Sequence, residues 1–102
     1  MEEDYTHRSL ADQLERVLGS KARIRILAFF ATHSNAEFTK YRLASATRLE
    51  KQTVKLHLKV LEEEGIIRKV NDTVPTYRLN DDTRAKLIIE FFKRVSETLR
   101  LV

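Results

Sequence analysis

The nine residues from Lys51 to Lys59 hold the side chains best suited to chemistry on an extended anionic surface. Drawn on a helix at about 100° per residue, Gln52, Lys55 and Lys59 share one side with Leu56 among them, and Lys51 and Thr53 flank it. Val54, Leu58 and Leu61 cluster opposite, with His57 beside them. A glutamine can pair bidentately with adenine, a lysine can reach guanine acceptors or phosphates, and a leucine can meet a thymine methyl. An inward apolar stripe would fix the helix to a domain and leave that polar face outward. Lys and Gln on a helix are also what an ordinary solvated face carries, so the pattern needs support from the rest of the chain. Glu62, Glu63 and Glu64 would repel phosphate, so that end of the helix is expected to point away from a nucleic acid.

Charge distribution supplies part of the support. The net charge is +4, and the whole surplus sits in the middle. Residues 1–37 hold five basic and six acidic groups, residues 38–79 nine and five, and residues 80–102 five and four. A central basic segment is the footprint of a polyanion partner. With 102 residues and 42% apolar content the chain can bury one modest core as a single domain. It has no Cys, which removes disulfides and thiolate metal sites. No apolar run is long enough to span a bilayer and the polar, acidic start lacks a secretory h-region, so a cytoplasmic, nucleoid-associated protein is expected. A glycine-rich phosphate loop and a nucleophile–base–carboxylate set are both missing, which argues against an enzyme.

The elements that must position residues 51–59 can be read from periodicity and punctuation. A first amphipathic helix runs from about Arg8 to Leu18, stopped by Gly19 in a left-handed conformation, with Ser20 as N-cap of the next. The second, about Lys21 to Thr32, has Ile24, Leu27, Ala28 and Ala31 on one face, widened by Ile26, Phe29 and Phe30. After the loop His33–Ala36 and an apolar plug at Phe38, Thr39 caps a short third helix to about Ala46, with Leu43, Ala44 and Tyr41 read as inward. Thr47, Arg48 and Leu49 form a turn, the fourth helix covers about Glu50 to Glu64, and Gly65 ends it. The period then changes: Ile66–Val70 and Thr76–Leu79 read as strands of a hairpin with a five-residue tip. Asn80 is expected to cap the last helix, with Asp81 and Asp82 in its first turn.

That last helix carries Ala85, Ile88, Phe92, Val95, Leu99 and Val102 at alternating spacings of three and four, an a/d seam. Leu87 and Phe91 widen it. A seam on a domain whose core comes from earlier helices predicts a partner helix from a second copy, with Leu10 and Leu14 of the first helix joining the same homodimer interface. A small-molecule effector is left open; the aromatics Tyr5, Phe29, Phe30, Phe91 and Phe92 read first as plain core.

The stretch TVKLHLKVLEEEGIIRKV, Thr53 to Val70, resembles the recognition-helix-to-wing segment of ArsR/MarR-type winged helix-turn-helix regulators, and LGSKARIRIL, Leu18 to Leu27, is similar to the helix that opens many ArsR-like domains. The resemblance covers about residues 17–80. Together with the helices that periodicity gives on either side, it implies a mainly α fold with a small β-hairpin, ordered α-α-α-α-β-β-α: an N-terminal helix over 1–19, a winged helix-turn-helix core over 20–80 and a C-terminal dimerisation helix over 81–102. It also implies double-stranded DNA as partner, with Lys51, Gln52, Thr53, Lys55, Leu56 and Lys59 facing the bases. Thr39, Lys40, Arg42 and Arg48 would hold the backbone, joined by Arg68, Lys69 and Arg78 of the wing. The wing tip departs from the pattern, with Asp72 and no Lys or Arg. Many ArsR-like proteins sense metals through a Cys-x-Cys pair; the equivalent stretch here, Tyr41 to Ala44, has no thiol, residues 80–102 have no His, and His7, His33 and His57 lie in different elements. No metal and no cofactor is expected. Two other functions fit the same fold: a sequence-tolerant architectural DNA-binding protein, and a winged-helix protein-interaction module.

Overall fold

The computed structural model describes residues 9–33, 35–71 and 73–101. Among these, the elements are α1 Leu10–Leu18, α2 Lys21–Thr32, α3 Lys40–Thr47, α4 Lys51–Glu63, β1 Ile67–Val70, β2 Thr76–Leu79 and α5 Thr83–Leu101. The chain is mainly helical with one antiparallel hairpin, in the order the sequence predicts. The helix start at Arg8, and the residues Tyr5, His7, Ser34, Asp72 and Val102, lie outside the described residues.

Local side-chain chemistry starts the first three helices. Ser9 accepts from the Asp12 amide at 3.1 Å, Ser20 from the Ala22 and Arg23 amides, and Thr39 from the Arg42 amide at 3.1 Å. Each satisfies an amide that a helix start leaves without a partner. Gly65 ends the fourth helical segment with φ +76°, its own amide donating to Glu62 O and the Ile66 amide to Leu61 O. That pair of bonds is a Schellman motif, and it needs the left-handed conformation that glycine adopts without strain. Gly19 behaves otherwise than expected. Its φ is −79°, and its role is steric: a Cβ there would come within 2.4 Å of the Glu15 carbonyl oxygen. Asn80 also departs from expectation. Asp82 caps α5, accepting from the Ala85 amide at 2.8 Å, whereas the Asn80 carboxamide donates to Gly65 O and its backbone amide to Ile66 O, closing the base of the hairpin.

The hairpin pairs Ile67 with Leu79, Arg68 with Arg78, Lys69 with Tyr77 and Val70 with Thr76. Phe38 adds a short third rung: it exchanges amide–carbonyl bonds of 2.9 and 2.8 Å with Tyr77, so the loop before α3 is stitched to the sheet. The core lies where α2 crosses the others, with Ile26, Leu27, Phe30, Leu43, Val54, Leu58, Leu61, Ile66 and Ile67 fully buried. On α2 the buried face is Ala22, Ile26, Leu27, Phe30 and Ala31, and Ile24 is exposed. The helix is apolar on several sides, and the larger Ile26 and Phe30 take the inner positions that the sequence reading gave to Ile24 and Ala28. Among the described residues no helix is long and apolar enough to cross a membrane.

Alanine 85 corrects one expectation for α5. It is 1% exposed within a single chain, so it belongs to the protomer's own core and is closed to a partner. Ile89 is buried with it, and Ile88 and Phe92 pack partly against the same core. The side chains left outward are Leu87, Phe91, Val95 and Leu99.

Candidate nucleic-acid interface

Helix α4 is anchored from below by Val54, Leu58 and Leu61, all buried. Its outer face then presents Lys51, Gln52, Lys55 and Lys59, all exposed, with Leu56 among them at 59% exposure; Thr53 is half-buried at the flank. Helix α3 packs beside it through Leu43, Ala44 and Thr47. The turn between the two helices passes through Arg48 at φ 60°, ψ 38°, with the Leu49 amide bonded to Ala44 O at 3.1 Å. A non-glycine residue in that region is uncommon and costs conformational energy. Here the chain turns tightly there, and the Arg48 side chain is left exposed at the corner. Glu50 begins α4 without a side-chain cap bond, unlike α1, α2 and α3. The first amides of the outward-facing helix are therefore open to an anion.

Tyr41 is the residue sequence reasoning misplaced. It is 57% exposed rather than inward. The inward set Leu43, Ala44 and Thr47 would have excluded it, because position 41 lies nearly opposite 43 on a helix. Its ring receives two ammonium groups, Lys51 Nζ at 4.7 Å and Lys40 Nζ at 5.5 Å from the centroid. Arg42 lies over Phe29 of α2 at 5.6 Å. Thr39 accepts from the Arg42 amide as the α3 cap, and its hydroxyl hydrogen stays available to an acceptor.

The wing contributes unequally. Arg68 and Lys69 of β1 are exposed. Arg78 is half-buried, with Nη1 3.9 Å from Glu37, whose other oxygen accepts from the Thr76 hydroxyl at 3.0 Å. Part of the Arg78 charge is thus offset within the domain, and it is the least available of the predicted backbone cations.

At the far end of α4 two of the three acidic residues, Glu63 and Glu64, are engaged. Arg16 of α1 bridges Glu63 at 3.1 Å and Glu64 at 3.0 Å, and the Arg84 guanidinium of α5 donates to the Glu64 carbonyl. Glu64 is buried. The negative end of α4 is therefore tied to α1 and α5, and the cationic face is left to the other end. His57, half-buried on the inner flank, accepts at Nδ1 from Arg23 Nη1 at 3.1 Å, since a guanidinium can only donate. Burial first, and then the Arg23 charge, hold its pKa below 6.5, so the imidazole is neutral near pH 7.

Beyond the acidic end of α4, α1 and α5 frame an apolar groove of about 480 Å³ lined by Leu10, Leu14, Leu18, Leu87, Ile88 and Phe91 among others, Glu64 included. The aromatics divide into separate groups: Phe29 and Phe30 pack at an angle against Phe38, with centroids 4.8 and 5.7 Å apart, and Phe91 packs edge-on against Phe92 at 6.0 Å.

Comparison with known proteins follows the same geometry. The family described as "Helix-turn-helix domain" matches residues 18–70. No curated protein matches the sequence. Among solved structures, the chain is similar to the homodimeric winged helix-turn-helix DNA-binding domain Mb0332 from Mycobacterium bovis, a possible ArsR-family transcriptional regulator. The two are 26% identical with TM-score 0.67, over 91% of this chain and 87% of that one. HlyU from Vibrio cholerae has TM-score 0.70 at 23% identity, over 93% and 97% of the two chains. The transcriptional repressor BigR from Xylella fastidiosa has TM-score 0.68 at 22% identity, over 96% of each. With its helix pair, left-handed turn and paired wing, the chain belongs to the helix-turn-helix domain family and has the winged-helix fold of ArsR- and MarR-type transcriptional regulators.

Proposed function

We propose that the chain is a homodimeric transcriptional regulator that binds double-stranded DNA sequence-specifically. Each protomer lays α4 in a major groove, with Gln52, Thr53, Lys55, Leu56 and Lys59 toward base edges and Lys51 at the start of the same face. Thr39, Lys40, Arg42 and Arg48 grip the phosphates beside it, and Arg68 and Lys69, with a lesser share from Arg78, approach along the wing. Phosphate contacts position the helix and base contacts specify the site. The observation that carries the reading is the outer face of α4: an exposed leucine set among amide and ammonium groups, over a stripe of fully buried Val54, Leu58 and Leu61. Glu63 and Glu64 are engaged at the other end of the same helix. Dimerisation is supported by the exposed Leu10, Leu14, Leu87, Phe91, Val95 and Leu99 of α1 and α5, and by the homodimeric state given for Mb0332. Its place of work would be the cytoplasm, with the nucleoid.

The test is selection from a random duplex library by the purified protein at about 150 mM salt, where non-specific binding is suppressed. An inverted repeat with half-site centres about 10 base pairs apart is the expected outcome. The sequence-tolerant architectural reading has one observation in its favour, that lysines outnumber hydrogen-bonding amides on the reading face. Duplexes retained without a shared motif would decide for it. No retention, even at low salt, would leave the protein-interaction module.

A further inference from the structure

Two unneutralised cations share one exposed aromatic ring at the junction of α3 and α4. Lys40 and Tyr41 open α3, and Lys51 opens α4. Both ammonium groups lie within cation–π range of the Tyr41 ring, at 5.5 and 4.7 Å. Among the described residues neither lysine has a carboxylate partner, whereas Arg16, Arg78 and Arg94 each do. A ring left 57% exposed to carry two free positive charges adds nothing to the core. It does hold two flexible lysine stems near one ring that also carries a phenol O–H donor, lowering the entropy that ordering them on a ligand would cost.

We propose that Lys40, Tyr41 and Lys51 form one clamp for a backbone phosphate at the edge of the major groove, and that Lys51 belongs to this clamp and not to the base-reading set. The inference rests on the DNA-binding reading above and revises it at one residue. The geometry favours phosphate over a base edge. The Lys51 ammonium is drawn sideways onto α3, off the outward face that Gln52, Lys55 and Leu56 share. Tyr41 lies on the helix that precedes the reading helix, where a donor meets the strand backbone. A phosphodiester offers acceptors to the two ammonium groups and the hydroxyl together, which a single base edge does not.

The experiment measures affinity of the full chain for a selected duplex and for a scrambled one over a salt series, using Tyr41→Ala, Tyr41→Phe, Lys51→Ala and the Tyr41→Ala/Lys51→Ala pair. Tyr41→Ala is expected to weaken both duplexes by a similar factor, on the order of tenfold, and Tyr41→Phe by less. Lys51→Ala should lower the salt slope by about one while leaving the base preference at every position as it was. In the Tyr41→Ala background the further loss from Lys51→Ala should shrink. Thermal unfolding of each variant guards against a folding artefact. Wild-type affinity in Tyr41→Ala, or a changed preference at one base step in Lys51→Ala, would overturn the clamp and leave the DNA-binding reading standing. Failure of the wild-type chain to bind any duplex would remove both.

Discussion

Gln52 and His57 lie five positions apart on one helix and face opposite demands. Gln52 is exposed on the outer side, where its carboxamide can satisfy an adenine edge. Replacing it with alanine should leave folding intact and relax preference at one base step, by about 1–3 kcal/mol of discrimination. Repeating the duplex selection with the variant checks this, and an unchanged motif would remove Gln52 from the reading set. His57 faces inward and is neutral because burial and Arg23 disfavour its proton. Its folded pKa is below the ordinary 6.5, so as pH falls past that value the unfolded chain gains a proton that the folded chain refuses. The stability His57 contributes is therefore complete above that pH and is lost as the pH falls toward the folded value. Urea unfolding of wild type and His57→Gln at about pH 7.5 and about pH 5.5 should show a smaller acid loss in the variant. Equal losses would mean that neither burial nor the Arg23 charge lowers the proton affinity of His57. The polar face of residues 51–59 was legible in the sequence because burial of Val54, Leu58 and Leu61 leaves the opposite side only one place to go. Tyr41 was not, since an aromatic beside a buried leucine reads as core until the phase of the short helix is known.

Helix ends were the most legible feature, because caps are local. Ser20, Thr39 and Gly65 act where their chemistry directs, each through bonds spanning two to five residues. Asn80 and Gly19 misled for a related reason: either could cap or turn the chain, and tertiary partners decided. The Asn80 carboxamide found Gly65 O, and Asp82 took the cap. Gly65 is where a whole element depends on one backbone angle, since the left-handed turn there joins the end of α4 to the wing. An alanine Cβ at this position would come 3.0 Å from Arg84 Nη2, the movable end of a side chain, so crowding is minor and the backbone conformation dominates. Gly65→Ala is expected to cost about 1–2 kcal/mol, read as a lowered denaturation midpoint with an unchanged slope. No change in midpoint would mean that the segment relaxes to another C-terminal cap.

At the scale of the whole molecule, the outward apolar surface coincides only in part with the seam that heptad spacing gives, sharing Val95 and Leu99 with it. That spacing picks out Ala85, Ile88, Phe92, Val95 and Leu99, but α5 is apolar around much of its girth, and a period alone cannot say which stripe the protomer keeps. Ala85 and Ile89, with Ile88 and Phe92 partly buried, close the chain's own core, while Leu87, Phe91, Val95 and Leu99 remain outside at four-residue steps. Leu87 and Phe91 are 64% and 56% exposed and share the α1–α5 groove with Leu10 and Leu14. Patches of this kind on a small domain mark contact with another surface. If that surface is a second copy, one charge placed in the groove should separate the protomers without unfolding them, because neither side chain closes the core. Leu87→Glu and Phe91→Glu are therefore expected to halve the mass measured by light scattering while the far-ultraviolet circular dichroism is kept. DNA affinity should then fall by about a hundredfold or more, since two linked reading helices bind with an effective concentration that single ones lack. A variant that keeps both its dimeric mass and its affinity would move the interface elsewhere, toward Val95 and Leu99 at the other end of α5.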